Sequence, residues 1–117
     1  IFPAIDANKK DQKGSHAFDD KNIVCLALKG LAERFPEVIK IADVALDPYT
    51  DHGHDGVLVE GQVDNDQTLE LLQDQALLLA KSGADILAPS DMMDGRVKAI
   101  RDSLESNNLV IREIQNL

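Results

Sequence analysis

The sequence predicts a single α/β domain built around a parallel sheet. Short apolar segments alternate with longer amphipathic segments along the chain, and the 117 residues, 44% of them apolar, suit one core. Alternation of strands and helices is typical of parallel sheets joined by crossover helices. The expected order is β-α-β-hairpin-α-β-α. This pattern leaves open whether the sheet closes into a barrel or forms an open, doubly wound sheet.

The first third of the chain predicts a strand followed by a helix. Residues 1–5 are mostly apolar, and we interpret them as the end of a buried strand. A helix is predicted over 20–35, where apolar residues recur at intervals of three and four. Asp19 or Asp20 is the expected N-cap, and Pro36 ends the helix.

The middle of the chain predicts a strand, a hairpin and a second helix. Residues 38–46 form a nearly continuous apolar run, which is typical of a strand buried on both faces. A hairpin turned at Gly61 follows within 57–63. A helix is then predicted over 65–82, with Gly83 as its C-terminal stop, because glycine readily adopts the left-handed conformation that ends helices.

The last third predicts another strand and another helix. Residues 84–88 form a short apolar strand, and a helix is predicted over 92–104. Ser90 or Asp91 is the expected cap of this helix. Residues 109–117 are compatible with a strand, a helix or a frayed end.

Charge and cysteine content exclude several classes of function. The formal net charge of −9 argues against nonspecific nucleic-acid binding and against an anionic membrane surface, because both need an excess of Lys and Arg. The sequence has no apolar run close to the ~20 residues of a membrane span. The single cysteine, Cys25, lies in a helical pattern, so we expect a buried, inert thiol and a reducing, cytoplasmic setting.

The most informative segment is the loop at residues 47–56, which follows an apolar strand. Asp47 and Asp55 lie near its two ends, and Pro48 and Gly53 between them allow the loop to fold back on itself. Two carboxylates that converge suit Mg²⁺ or another hard cation, because such cations prefer oxygen ligands. The alternative is a solvated acidic loop without a ligand.

Other polar residues near strand ends are candidates for a pocket. Asp43 interrupts an apolar strand, and since a buried carboxylate is costly unless paired, it is either an active-site group or a paired structural one. Ser90 and Asp91 follow the next strand, where they either line a site or cap a helix. His52 and His54 are expected to point in opposite directions along an extended loop, so a shared zinc ion is not expected.

Two longer motifs carry a resemblance to a known family. Residues 43–56, Asp-Val-Ala-Leu-Asp-Pro-Tyr-Thr-Asp-His-Gly-His-Asp-Gly, resemble the metal-loop signature of porphobilinogen synthase, also called 5-aminolevulinate dehydratase. Residues 88–96, Ala-Pro-Ser-Asp-Met-Met-Asp-Gly-Arg, resemble the other hallmark of that family, and the order and spacing of the two motifs also match. The likeness covers residues 1–107 and leaves 108–117 as a divergent tail.

The resemblance implies both a fold and a reaction. Members of this family are TIM (β/α)8 barrels, usually homo-octamers, that condense two molecules of 5-aminolevulinate to porphobilinogen with loss of two waters in heme and tetrapyrrole biosynthesis. Residues 1–117 are then expected to form one partial TIM barrel domain with about three parallel strands, since a complete barrel takes ~250 residues. Asp43, Ser90 and Asp91 are expected to line its pocket.

The 43–56 motif also indicates the type of family member. Zinc-type members carry three cysteines in this loop, and the corresponding positions here are Ala45, Asp47 and Asp55. Thiolates are soft ligands that suit zinc, whereas carboxylates are hard ligands. The chain therefore resembles the aspartate-rich members, which implies Mg²⁺ at Asp47 and Asp55 and no zinc there.

One feature of the family has no counterpart in this chain. Members form Schiff bases through two lysines on later strands, and no lysine here matches either position, since Lys81 and Lys98 fall at surface-like places on predicted helices. Such a lysine is a covalent catalyst that nearby carboxylates cannot replace. We therefore expect part of a longer enzyme that is inactive alone. The alternative is a noncatalytic acidic α/β module that binds a divalent cation or a protein partner.

Overall fold

A computed structural model describes residues 1–109 and 112–113 of the chain. Within these residues, no helix has the length and hydropathy needed to cross a bilayer. The helices are α1 (Ile23–Arg34), α2 (Asn65–Ser82) and α3 (Arg96–Ser106). The strands are β1 (Ile41–Val44), β2 (Leu58–Val59), β3 (Gln62–Val63), β4 (Ile86–Pro89) and β5 (Arg112–Glu113). Short 3-10 helices lie at Ala7–Lys9, Ser15–Phe18 and Asp47–Tyr49.

The main sheet is parallel, and its strand order is β1-β4-β5. β1 pairs with β4 along its whole length, so that Val44 at its end lies beside Pro89. β2 and β3 form a separate antiparallel hairpin. Its turn has φ angles of 53° at Glu60 and 78° at Gly61, and positive φ at both central residues is the geometry of the commonest two-residue hairpins. The predicted α/β fold and the hairpin turned at Gly61 are confirmed.

The beginning of the chain extends the sheet by a single residue. The Ile1 amino group donates to the Ile41 carbonyl at 2.7 Å, and the Ile1 carbonyl accepts from the Asp43 amide at 2.9 Å. The predicted buried strand over residues 1–5 is nevertheless wrong. Ile1 is 43% exposed and Phe2 is 77% exposed, because the described residues place no further element against them.

The segment after α3 resolves one of the alternatives left open by the sequence. β5, at Arg112–Glu113, pairs in parallel with Ile86 and Leu87 of β4, so this segment contains a strand. The prediction for residues 109–117 also covered 110–111 and 114–117, which lie outside the described residues.

The apolar core lies between the sheet and the helices. α2 packs against α1 and α3 and also contacts β1 and β4. In β1, Ala42 and Val44 are buried, whereas Ile41 is 39% exposed and Asp43 is half-buried. The prediction that residues 38–46 are buried on both faces is therefore wrong, because in the described part of the chain helices cover only one face of β1.

α1 begins at a cap that the sequence pattern did not single out. The Asn22 side chain accepts a hydrogen bond from the Cys25 amide at 3.0 Å and donates to the Ala17 carbonyl at 3.3 Å. The prediction of Asp19 or Asp20 as the cap is wrong, because the chain makes a further turn, closed by the Asn22 amide on the Asp19 carbonyl, before the helix starts. Cys25 is fully buried, as predicted.

Asn22→Ala is expected to lower the free energy of unfolding by about 1–2 kcal/mol, because it removes the cap and the donor to a buried carbonyl. Asp20→Ala is the matched control and is expected to stay within about 0.5 kcal/mol of the wild type. Chemical denaturation followed by circular dichroism measures both variants. An equal loss of stability in the two would contradict the assignment of Asn22 as the cap.

α3 begins several residues later than predicted, at Arg96. The Asp91 carboxylate accepts from the Met93 amide at 2.8 Å in a turn that precedes the helix. Gly95 then has a φ of 77°, a left-handed conformation that an α-helix does not contain. Ser90 and Asp91 are therefore not the caps of α3, and this prediction is wrong.

Candidate active site

The predicted pocket residues lie at the carboxyl ends of β1 and β4. These ends are adjacent because Asp43 pairs with Ala88, and the Ser90 amide donates to the Val44 carbonyl at 3.2 Å. The carboxyl ends of parallel strands are where α/β proteins place their sites. The structure thus brings Asp43 and Ser90, which are far apart in sequence, to one edge of the sheet.

Asp43 is a half-buried acid whose pKa is affected by the hydroxyl group of Ser90. Burial raises the pKa of its carboxyl group, a side-chain hydrogen bond with Ser90 works against this increase, and the negative charge of Asp47 adds to it. A raised pKa eases proton uptake by a carboxylate. Together, Asp43 and Ser90 can hold a polar ligand and exchange a proton with it.

Asp47 and Asp55 interact electrostatically near the two ends of the metal loop, which we define as residues 47–56. Asp47 starts a 3-10 helix with Pro48, which turns the chain directly after the sheet. Burial is the largest cause that raises the pKa of Asp55 to about 6, and the hydrogen bond with Asp47, the charge of Asp47 and the charge of Asp91 also raise it. The influence of Asp47 on the pKa of Asp55 indicates that the two carboxyl groups lie near each other.

A second loop, which we call the anchor segment (residues 11–14), holds the metal loop. The Asp11 amide donates to the Tyr49 carbonyl at 3.3 Å, and the Asp51 amide donates to the Asp11 carbonyl at 3.0 Å. Gly14 has a φ of 67°, and a Cβ there would lie 3.3 Å from the Tyr49 Cβ. Tyr49 is buried, and this burial raises the pKa of its hydroxyl group. The start of the metal loop is therefore fixed by backbone pairing and by packing.

His52 and His54 lie on the same side of the loop, so the prediction that they point in opposite directions is wrong. Their ring centroids are 5.4 Å apart, because Gly53 between them has a φ of 75° and turns the backbone. The His54 amide donates to Nδ1 of His52 at 3.1 Å, and Nε2 of His52 lies 3.0 Å from the Gln12 carbonyl. His52 therefore links the metal loop to the anchor segment.

Asp91 is buried beside a positive charge. Its Oδ1 lies 3.1 Å from Nε of Arg96, an ion pair without the alignment of a hydrogen bond. Burial raises the pKa of Asp91, the Met93 amide and the charge of Arg96 lower it, and the charge of Asp43 raises it. Arg96 ends the 88–96 motif and supplies this positive charge from the first residue of α3.

The donors of the metal loop suit a hard divalent cation. In residues 1–109 and 112–113, no group of three or more His, Cys, Asp or Glu side chains is arranged to hold a metal ion. The negative charge of Asp47 nevertheless contributes to the raised pKa of Asp55, and a cation bound by these two carboxylates would relieve that repulsion. Mg²⁺ often binds through one or two carboxylates and keeps several waters. The residues present therefore fit Mg²⁺.

Acidic side chains gathered at the carboxyl ends of parallel strands are typical of α/β-barrel enzymes. A family model described as delta-aminolevulinic acid dehydratase matches residues 1–115. The delta-aminolevulinic acid dehydratase of Bradyrhizobium diazoefficiens is 48% identical over 110 residues, which are 94% of this chain and 31% of the relative. That of Helicobacter pylori is 50% identical over 96 residues, which are 82% of this chain and 30% of the relative.

A solved structure agrees with these matches. The crystal structure of delta-aminolevulinic acid dehydratase (porphobilinogen synthase) from Toxoplasma gondii, in complex with the reaction product porphobilinogen, matches with a TM-score of 0.89 and 46% identity. The match covers 92% of this chain and 31% of that chain. The chain belongs to the delta-aminolevulinic acid dehydratase family, and its strands and helices form part of a TIM barrel. It spans about a third of the length of the relatives it matches.

Proposed function

We propose that this chain forms the metal-loop and pocket part of an enzyme that condenses two molecules of 5-aminolevulinate to porphobilinogen with loss of two waters, a lyase of heme biosynthesis. The family match supports the reaction class. One observation supports the proposal for these residues. At the carboxyl ends of β1 and β4, Asp43 interacts with Ser90 and Asp47, and Asp47 in turn interacts with Asp55.

Asp43 and Ser90 are the proposed substrate contacts. Asp43 lies on the face of β1 opposite the buried Ala42 and Val44, so it faces the interior of the barrel to which these strands belong. Its raised pKa supports a role as a proton donor or acceptor for a polar substrate. Asp91 is buried in the turn after β4, and its ion pair with Arg96 stabilises that turn.

Mg²⁺ is the proposed metal, with Asp47 and Asp55 as its protein ligands. When bound, the ion supplies positive charge at the mouth of the barrel. Zinc is not proposed for this loop, because its donors are carboxylates and Cys25 is buried in the core. The proposal extends to a homo-octamer, as the resemblance implies, and to a cytoplasmic location, which the low cysteine content favours.

A chimera tests the proposed function. The matched 110-residue segment of the Bradyrhizobium diazoefficiens relative is replaced by the corresponding segment of this chain. The chimera is expected to form porphobilinogen from 5-aminolevulinate, whereas the 117-residue chain alone is expected to form none, since no Schiff-base lysine was matched in it. Turnover by the chain alone would contradict this division of roles. A chimera that folds but is inactive would favour the noncatalytic module.

The role of Asp43 is tested in the same chimera. Asp43→Asn removes the titrating group but keeps the size of the side chain, and it is expected to lower kcat/KM by about 100-fold or more. Asp51→Asn, at an exposed carboxylate of the metal loop, is the matched control and is expected to keep the activity. Full activity in the Asp43→Asn chimera would remove this residue from the site.

A further inference from the structure

We propose that His52 is the positioning residue of the metal loop, and that it holds the end of the loop that carries Asp55. Its function for the enzyme rests on the proposed role of Asp47 and Asp55, because the residue acts through the placement of these carboxylates. If His52 were replaced, backbone hydrogen bonds would still link the metal loop to the anchor segment. These bonds involve only Tyr49 and Asp51, which precede Gly53.

Both ring nitrogens of His52 have a backbone partner, and these partners define the state of the ring. Nδ1 lies 3.1 Å from the His54 amide, which is a donor, so Nδ1 must be the unprotonated acceptor. Nε2 lies 3.0 Å from the Gln12 carbonyl, which is an acceptor, so Nε2 carries the hydrogen. We call these two contacts of His52 the bridge. Its two partners together require the neutral ring with its hydrogen on Nε2.

The stretch that follows His52 has little else to hold it. Gly53 is exposed with a φ of 75°, and a Cβ added there would meet no atom of the described residues within 4 Å, so the outer side of this turn is open. His54 is also exposed, but both of its backbone groups are bound: the amide to His52, and the carbonyl to the hydroxyl of Thr50 at 2.8 Å. Thr50 is only 2% exposed and is therefore a fixed point.

Asp55 follows His54 directly, so the backbone of His54 helps to place the Asp55 carboxylate, together with the Asp47 amide, whose hydrogen bond lowers the pKa of Asp55. One of the two bonds that hold this backbone comes from His52, and the other comes from the buried hydroxyl of Thr50. Replacing a residue that orients a metal ligand without binding the metal commonly changes the metal affinity by about 10–100-fold. His52 has this geometry toward Asp55.

Three substitutions separate the two halves of the bridge. His52→Asn places an amide oxygen near the position of Nδ1 and can accept from the His54 amide, but it is too short to reach Gln12. His52→Gln reaches the Gln12 carbonyl with its amide group but loses the acceptor for His54. His52→Ala loses both. Gln12→Ala is the matched control, because it keeps the main-chain carbonyl that accepts from the ring.

Hydrogen exchange of the His54 amide in the 117-residue chain, followed by NMR, reads out the bridge without metal or substrate. Exchange is expected to be about five- to tenfold faster in His52→Ala and His52→Gln than in the wild type, unchanged in Gln12→Ala, and largely restored in His52→Asn. Nitrogen-15 spectra of the wild-type ring are expected to show the hydrogen on Nε2. Unchanged His54 exchange in His52→Ala would overturn the proposal.

The Mg²⁺-induced rise in melting temperature then tests the effect on the metal loop. The Mg²⁺ concentration for half of the full rise is expected to be about tenfold higher in His52→Ala than in the wild type and unchanged in Gln12→Ala. An equal Mg²⁺ response in His52→Ala and the wild type would overturn the positioning role. A wild-type chain that gives no Mg²⁺ response would instead overturn the proposed metal, while the exchange result still decides whether His52 holds the loop.

Discussion

Gly56→Ala is expected to lower the free energy of unfolding by about 2–3 kcal/mol. Gly56 closes the metal loop against α2, and a Cβ there would lie 2.8 Å from Cγ1 of Val63 and 2.9 Å from Cγ2 of Thr68, with Oγ1 of Thr68 closer still. Thr68 is fully buried, and its hydroxyl accepts from the Val57 amide at 3.0 Å. It cannot move away without leaving a buried amide unpaired, so the added methyl group forces the loop off the helix.

Gly30→Ala is the matched control, because a Cβ at Gly30 in α1 meets nothing within 4 Å. Alanine is favoured over glycine inside a helix by about 1 kcal/mol, so this variant is expected to gain stability. Urea denaturation followed by circular dichroism measures both variants. A Gly56→Ala chain as stable as the wild type would show that the metal loop is not packed against α2 in this way.

Asp55→Asn is expected to stabilise the chain near pH 7. The pKa of Asp55 is about 6 in the folded chain, against a reference value of 3.8. Because the folded value is the higher one, the folded chain binds more protons in this window, and stability is lost as the pH rises from about 4 to about 6. The whole shift corresponds to about 3 kcal/mol, but Asp55 is only partly buried, and screening by solvent reduces its contribution to about 1 kcal/mol.

Asparagine imitates the protonated state of Asp55, since its amide group can donate to the Asp47 carboxylate. The variant is therefore expected to lose less stability between about pH 4 and about pH 7 than the wild type. Part of the loss remains, because the pKa values of Asp43 and Asp91 are also raised. Melting temperatures across this pH range measure the difference, with Asp51→Asn as the control at an exposed carboxylate of the same loop.

Mg²⁺ provides the second readout of this variant. The ion is expected to raise the melting temperature of the wild type and of Asp51→Asn at about pH 7, because it neutralises the paired carboxylates. The Asp55→Asn chain is expected to need at least about tenfold more Mg²⁺ for the same rise. Identical pH profiles and Mg²⁺ responses in Asp51→Asn and Asp55→Asn would contradict the pairing of Asp47 with Asp55.

The features that the sequence predicted correctly depend on local signals. α2 has the predicted bounds, 65–82, because a long amphipathic period ends at Gly83, which adopts a φ of 122°. The hairpin turns at Gly61 for a similar reason, since a positive φ is needed there. Pro48 lies in the 3-10 helix that turns the chain directly after the sheet, whereas the metal site expected at Asp47 and Asp55 stays a prediction.

The features that the sequence did not predict depend on distant contacts. The segments 1–5 and 38–46 are apolar, but whether their faces are buried depends on which elements lie beside them. The cap of α1 is Asn22 because the Ala17 carbonyl lies within reach of its side chain, and hydrophobic periodicity carries no such information. Likewise, the orientation of His52 depends on the Gln12 carbonyl, which belongs to a separate loop.

Porphobilinogen formation by the chimera, measured as a function of Mg²⁺ concentration, tests the function and the metal loop together. Activity is expected to rise with Mg²⁺, to lose this dependence in the Asp47→Asn and Asp55→Asn chimeras, and to keep it in Asp51→Asn. Equal rates of porphobilinogen formation with and without Mg²⁺ would contradict a metal loop built from these two carboxylates. A folded chimera that forms no porphobilinogen at any Mg²⁺ concentration would contradict the proposed function itself.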